Sequence, residues 1–237
     1  MEKKNVFGVI LAGGKGSRMG NTDKPKQFFN IGDRPIIIHT VEKFLISNQF
    51  DAIIVLVSKQ WIKYTKDILK KYLISDENVF VIEGGDARND TLNNAINYIS
   101  SAYPVDDDTV VVTHDSVRPF VNNRIINENI IAAKKCGCCD TVINATDTIV
   151  SSEDGSFISD IPERNKMYRG QTPQSFKINT FLDIYKTLSE EEKQILTDAC
   201  KIFTLKGKKV SLVQGEVTNF KITYAFDMKV AEAFIGK

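Results

Sequence analysis

The sequence predicts an α/β fold: a Rossmann-like, mostly parallel sheet with helices on both faces, plus a protruding β-hairpin arm. Three observations predict it. Short apolar runs of strand length alternate with longer helix-like runs as far as Ala145. The first apolar run opens directly into a glycine-rich turn. Beyond Ala145 the alternation gives way to two short segments flanking Glu153-Asp154-Gly155-Ser156. Strands that alternate with helices imply right-handed βαβ units, and such sheets bind ligands at the carboxyl ends of their strands.

Taken in order, Val6–Leu11 reads as a buried parallel strand, followed by a helix from about Pro35 to Ser47. Ile53–Val57 precedes a helix over Trp61–Tyr72, and Val79–Ile82 one over Thr91–Ser100. Val110–Thr113 precedes a helix over Arg124–Lys135, and Thr141–Ala145 makes a fifth strand. Thr148–Ser151 and Phe157–Asp160 then form a hairpin with Asp-Gly in its turn. A hairpin leaving an α/β core either crosses onto another chain or folds back on its own sheet. From Ile178 the chain returns to helices, then to Lys209–Val213 and a closing helix Asp227–Phe234. No repeat, low-complexity segment or flexible linker interrupts it, so one domain over residues 1–237 is expected.

Composition limits the function classes. The 237 residues are 42% hydrophobic and 26% charged, ordinary for a globular chain, and the net charge of +1 gives no global field for nucleic acid or an anionic membrane. No apolar run reaches the length of a membrane span. Lys3-Lys4 precede an apolar stretch, but that stretch runs into a basic loop and not a cleavage site, so a cytoplasmic location is expected. Cys136, Cys138 and Cys139 cluster, yet their spacing and only two histidines do not suit zinc; small packed thiols, reduced in the cytosol, are the reading. His39, inside the first helix, reads as structural.

The chemistry concentrates in residues 6–29. Glycines let backbone N–H groups close on an anion, and Arg18, Lys24 and Lys26 supply flanking positive charge, so the loop reads as a phosphate-handling site. It is not a dinucleotide fingerprint: Met19 stands where a third glycine belongs, and the second strand ends in Ser58-Lys59 with no acid for a ribose. A nicotinamide-dependent oxidoreductase is weakened accordingly. A Walker loop is absent too.

Leu11-Ala12-Gly13-Gly14-x-Gly-x-Arg-Met-Gly followed by Pro25-Lys26-Gln27-Phe28 resembles the sugar and polyol nucleotidyltransferases that use CTP. Four further motifs occur in order: Gly84-Gly85-Asp86-Ala87-Arg88, His114-Asp115-Ser116-Val117-Arg118-Pro119, Gly170-Gln171-Thr172-Pro173-Gln174 and Asn219-Phe220-Lys221-Ile222-Thr223. Together they resemble the family of methylerythritol-phosphate and ribitol-5-phosphate cytidylyltransferases over most of the chain. A non-catalytic nucleotide-binding regulator on the same fold is disfavoured, because Arg18, Lys26, Asp115, Arg164 and Lys221 are all present.

The resemblance implies the following roles. Arg18 and Lys26 stabilise the α-phosphate of CTP and the departing pyrophosphate, while Leu11, Ala12, Gly13 and Gly14 give backbone contacts to the nucleotide. Gly84, Gly85, Asp86, Ala87, Arg88, Asn89, Asp90 and Thr91 line the cytosine pocket, though a plain tight turn before a helix would use the same residues. Ser116 joins the nucleotide-binding set. Asp115, following a strand, suits a carboxylate that holds Mg²⁺ near phosphates, or else caps the next turn; Arg118 could face the incoming phosphate. Arg164 and Lys221 orient the acceptor phosphate, with a surface lysine on an edge strand as the alternative for Lys221. Thr148 and Thr197 lie around the acceptor. His114 reads as a packed or hydrogen-bonded residue, because phosphoryl transfer between anions rests on positioning and charge and calls for no base. A β-arm at about 146–166 in a homodimer is also implied.

The acceptor is chosen by texture. Methylerythritol enzymes read P-A-A-G in the first loop and H-D-A-A-R-P after the fourth strand. Leu11-Ala12-Gly13-Gly14, His114-Asp115-Ser116-Val117-Arg118-Pro119, Arg169-Gly170-Gln171 and Leu196-Thr197-Asp198-Ala199-Cys200 resemble the ribitol-5-phosphate branch instead. CDP-ribitol would feed polyribitol-phosphate polymers such as wall teichoic acid or a capsule.

Overall fold

The computed structural model describes residues 4–14, 23–72, 77–194 and 198–236. Its sheet is built on three strands buried on both faces along nearly their whole length: β1 (Val6–Leu11), β4 (Ala52–Val57) and β6 (Val110–Asp115). Such runs can be satisfied only by burial on both sides, the condition of a central parallel strand. β5 (Val79–Glu83) extends one edge. β8 (Tyr168–Lys177), β7 (Cys138–Asn144) and β9 (Ser211–Gln214) extend the other, giving seven strands in the order β5-β4-β1-β6-β8-β7-β9. β8 runs antiparallel to both neighbours; every other pairing in this sheet is parallel. A short separate ribbon pairs β2 (Asn30–Ile31) with β3 (Arg34–Pro35).

Helices cover both faces, as expected. α1 (Ile36–Ser47), α2 (Ile62–Lys71) and α4 (Asn123–Cys136) bury Val41, Phe44, Ile68, Leu69, Ile125 and Ile126 against one face. α3 (Arg88–Ala102), α5 (Ile178–Tyr185) and α7 (Ala199–Leu205) bury Leu92, Ile96, Phe181, Ile202 and Phe203 against the other. Each such side chain contributes about 1.5–3 kcal/mol by leaving water. Gly8 makes one close approach possible: a Cβ there would lie 2.9 Å from Phe44 Cδ1, in the ring that stacks on Phe50. α6 (Glu190–Gln194) is short, and α8 (Ala225–Ile235) closes the chain over a small cluster of Ile31, Ile36, Val117, Ile222 and Ala231. No helix among the described residues is long and apolar enough to cross a membrane.

From β1 the chain moves to β4 on one side, then returns past β1 to β6 on the other. The two connections diverge at the carboxyl ends of β1 and β6, which opens a crevice there. Leu11 and Asp115 are register partners at its floor.

Three expectations are corrected. Residues 168–177, where no element was expected, form a full strand that holds Gly170–Gln174 within antiparallel β8. The strand expected at 141–145 begins earlier, at Cys138, and α3 begins at Arg88. The hairpin's tip forms as expected: Gly155 takes φ +76°, and Asp154 Oδ1 accepts from the N–H groups of Ser156 (2.8 Å) and Phe157 (3.0 Å). Its flanks, however, meet only at the Ser151–Asp160 bridge and form no regular ladder. Two strands with no buried face are marginal, and Ile149, Val150, Phe157, Ile158 and Ile161 are all exposed.

Candidate active site

The crevice holds a cavity of about 370 Å³ with three walls. The first is the glycine-rich loop with Leu11, Gly13 and Gly14, together with Lys26 and Gln27 from the turn after it. Ala12 itself is buried beneath this loop, its N–H donating to the Leu56 carbonyl at 2.8 Å. Lys26 and Gln27 sit in a 3-10 turn whose third residue, Phe28, is fully buried against Trp61 and Tyr64. An apolar anchor thus fixes a polar pair at the cavity edge.

The second wall is the start of α3, where Gly85, Asp86, Ala87, Arg88 and Thr91 line the cavity. Gly84 joins it to the sheet through its N–H on the Val57 carbonyl, 2.8 Å. Thr91 Oγ1 accepts from Gly85 N–H at 3.0 Å, and the Asp90 carboxylate accepts from Ala87 N–H at 3.1 Å. A Cβ on Gly85 would fall on Asp90, 2.7 Å from its backbone carbon, so only glycine permits this turn. Asn89 points away, donating to the Lys193 carbonyl at 3.0 Å. The N-terminus of α3, with its positive dipole end, therefore borders a site suited to anions.

The third wall is Asp115, Ser116 and Val117 with Lys221. Asp115 is nearly buried and gathers three cations: Arg88 Nη1 at 2.9 Å, Lys221 Nζ at 2.9 Å and Arg118 Nε at 3.5 Å. Burial pushes its carboxyl up, but Arg88, Lys221 and Arg118 outweigh this and hold it well below the usual carboxylate range. Arg118 lies behind the wall, buried, with Nη1 on the Asn219 carbonyl at 2.7 Å. Lys221 belongs to no strand; its loop is braced by Asn219 Nδ2 on the Thr172 carbonyl (2.8 Å) and by Ile222 N–H on the Val117 carbonyl (2.9 Å).

His114 is fully buried and structural. Asp115 N–H donates to Thr172 Oγ1 (3.1 Å), Thr172 Oγ1 to His114 Nδ1 (2.8 Å), and His114 Nε2 to the Arg118 carbonyl (3.0 Å). This assignment gives a neutral ring, and burial lowers its pKa to about 4. His39 likewise ties Ile31, at 3.0 Å.

The structure thus brings Leu11, Gly13, Gly14, Lys26, the Gly85–Arg88 turn, Thr91, Asp115, Ser116 and Lys221 to one cavity. Arg164 and Thr148 do not join it; both are exposed on the arm, where Arg164 Nη1 donates to the Thr146 carbonyl at 3.5 Å. Arg18 and Thr197 lie outside the described residues. Sequence reasoning assigned no role to Gln27, Val117, Thr172 or Asn219, although each sits inside a quoted motif. Cys138, Cys139 and Cys200 are buried thiols, Cys136 is exposed, and no group of three or more His, Cys, Asp or Glu that could hold a metal ion is found among the described residues.

Comparison with known proteins agrees with this geometry. Residues 6–237 match the family described as IspD, 2-C-methyl-D-erythritol 4-phosphate cytidylyltransferase. A protein of Lactiplantibacillus plantarum named ribitol-5-phosphate cytidylyltransferase is 53% identical over 232 residues, 98% of this chain and 99% of that one. The solved 4-diphosphocytidyl-2C-methyl-D-erythritol synthase of Anaerococcus prevotii superposes with a TM-score of 0.79 at 26% identity, covering 98% of this chain and 96% of that one. The 2-C-methyl-D-erythritol 4-phosphate cytidylyltransferase of Francisella tularensis also gives 0.79, at 23% identity over 97% and 99% of the two chains, and so shares the fold. On the length and identity of these matches, the chain belongs to the IspD cytidylyltransferase family.

Proposed function

We propose that this chain transfers CMP from CTP to D-ribitol 5-phosphate, giving CDP-ribitol and pyrophosphate. One juxtaposition carries the reaction: the glycine-rich loop and Lys26 face the Asp115–Lys221 pair across a single cavity. The acceptor rests on the L. plantarum relative, matched along nearly its whole length. Methylerythritol 4-phosphate is the second reading, favoured by the names of the family and of the solved neighbours.

In the proposed reaction an oxygen of the acceptor phosphate forms a bond to the α-phosphorus of CTP. The bond from that phosphorus to the bridging oxygen breaks, and pyrophosphate leaves with the electron pair. Positioning and charge carry the rate, because both reactants are anions. Loop and α3 backbone groups hold the nucleotide, with the Gly84–Thr91 turn against cytosine. Lys26 lines the cavity where the α-phosphate and pyrophosphate would lie, and the sequence motif assigns Arg18 to the same groups. Lys221 orients the attacking phosphate, and the Asp115 hub sets Lys221 and Arg88 at the height of the reacting groups.

A divalent cation such as Mg²⁺ would, when bound, neutralise phosphate charge. Among the described residues, Asp86 and Asp115 are the carboxylates that line the cavity, and both Asp115 oxygens are engaged by Arg88 and Lys221, so such a cation would arrive with the triphosphate and be held chiefly by phosphate oxygens, with a carboxylate of this wall beside it. The arm completes the proposal. Arg164 and Thr148 stand on an exposed excursion with Phe157 78% exposed, as suits an arm that reaches a second copy's cavity in a homodimer. A cytoplasmic setting, and CDP-ribitol supply to a polyribitol-phosphate polymer, belong to the same reading. Incubation with CTP, Mg²⁺ and ribitol 5-phosphate should yield CDP-ribitol by mass spectrometry; absence of that product would refute the assignment.

A further inference from the structure

The glycine-rich loop is held by its acceptors. Gln27 is buried, and its Nε2 donates to the carbonyls of both Ala12 (2.6 Å) and Gly14 (3.2 Å). Ser58 Oγ, at the position where a dinucleotide site carries its ribose-binding acid, donates to the Gly13 carbonyl at 3.3 Å. Ser116 N–H donates to the Leu11 carbonyl at 3.1 Å. Every carbonyl from Leu11 to Gly14 is therefore spent inside the protein. In a planar trans peptide the C=O and the following N–H point opposite ways. Fixing the Ala12 and Gly13 carbonyls on Gln27 and Ser58 consequently turns the N–H groups of Gly13 and Gly14 to the other side. Both glycines line the cavity.

We propose that Gln27, seconded by Ser58, is a positioning residue that presets the loop so that it offers donors, and not carbonyl oxygens, to the nucleotide. Glutamine suits the task because one amide nitrogen carries two N–H donors and can hold two carbonyls at once. Glutamate, being acceptor-only when ionised, would set oxygen against oxygen. Lys26, the preceding residue, contributes charge to the same wall, so one turn both shapes the loop and faces the phosphates.

The inference rests on CTP being the nucleotide, so wild type is titrated with CTP first; no binding there refutes the proposed function itself. Gln27→Met keeps the volume and removes both donors. It should raise KM for CTP roughly tenfold or more, the scale of one or two charge-assisted hydrogen bonds, while KM for the acceptor stays unchanged. Ser58→Ala should act in the same direction, and Ser58→Thr should restore wild-type values. In Gln27→Glu, KM for CTP should fall as pH is lowered, because a protonated carboxyl again donates to a loop carbonyl. An unchanged KM for CTP in Gln27→Met, or parallel rises for CTP and acceptor, would overturn the proposal.

Discussion

Replacing Asp115 by Asn tests the charge hub most sharply, because it removes one charge and almost no volume. The carboxylate has a side-chain exposure of 8% and Arg118 of 10%, whereas Arg88 and Lys221 are 28% and 36% exposed. Breaking a buried pair costs about 3–5 kcal/mol. Arg88 and Lys221 can turn toward water, so their share is screened and the low end applies, about 3 kcal/mol. Unfolding entropy near 2.1 cal/mol/K per residue gives about 0.5 kcal/mol/K for a chain of this length, so Tm should fall by about 6 °C. Calorimetry on both proteins measures this. Pyrophosphate should recover more of the loss in the variant than it adds to wild type, since it replaces the missing negative charge. The folded carboxyl titrates below its ordinary 3.8, so its contribution is complete above that value and is lost as pH falls beneath it. The gap between the two proteins should accordingly be level from about pH 5 to 8 and narrow in acid. An unchanged Tm, or a gap that grows in acid, would refute the hub.

Three further predictions rest on two buried titrating groups and on the arm. His114 titrates near 4 in the fold against 6.5 unfolded, so it stabilises above 6.5 and loses that contribution as pH falls toward 4. The advantage of wild type over His114→Gln should be level above pH 6.5 and shrink by up to about 3 kcal/mol as pH falls toward 4; urea melts at several pH values measure it. Asp140, half-buried on Gln174 Nε2 at 3.1 Å, is shifted the other way by burial, to about 6, so its contribution is lost as pH rises from 3.8 through 6. The two slopes oppose each other, and Asp140→Asn should therefore expose the histidine's slope; a melt series in which both variants tilt alike would contradict the pairing. Finally, mixing Arg164→Ala with Lys26→Ala subunits should restore part of the activity if the arm serves a second copy. Activity no higher than in either variant alone would argue against shared sites.

What the sequence revealed depends on how local each signal is. β1, β4 and the first half of β6 were legible because strands buried on both faces are written as near-continuous apolar runs. The loop and the α3 turn were legible because glycine marks backbone that no other residue permits. β8 was not: its sequence mixes glycine, glutamine, threonine and proline without alternation, and its pairing with β6 and β7 is set by distant partners. The arm divides the same way, with a turn written locally in Asp154-Gly155 and flanks that no local pattern stabilises. At the site, Asp115 and Lys221 could be named from their motifs, but not the 2.9 Å contact that joins them. Gln27 went unassigned because its role lies in which carbonyls it holds, and that is visible only once the loop has a shape.

The central claim is the reaction and its acceptor, and pyrophosphate release tests it directly. The enzyme is given CTP and Mg²⁺ with ribitol 5-phosphate in one series and methylerythritol 4-phosphate in another. Release with ribitol 5-phosphate and little with the other acceptor is the expected result. Release with methylerythritol 4-phosphate alone would contradict it and move the enzyme to the second reading; release with neither would remove the cytidylyltransferase assignment.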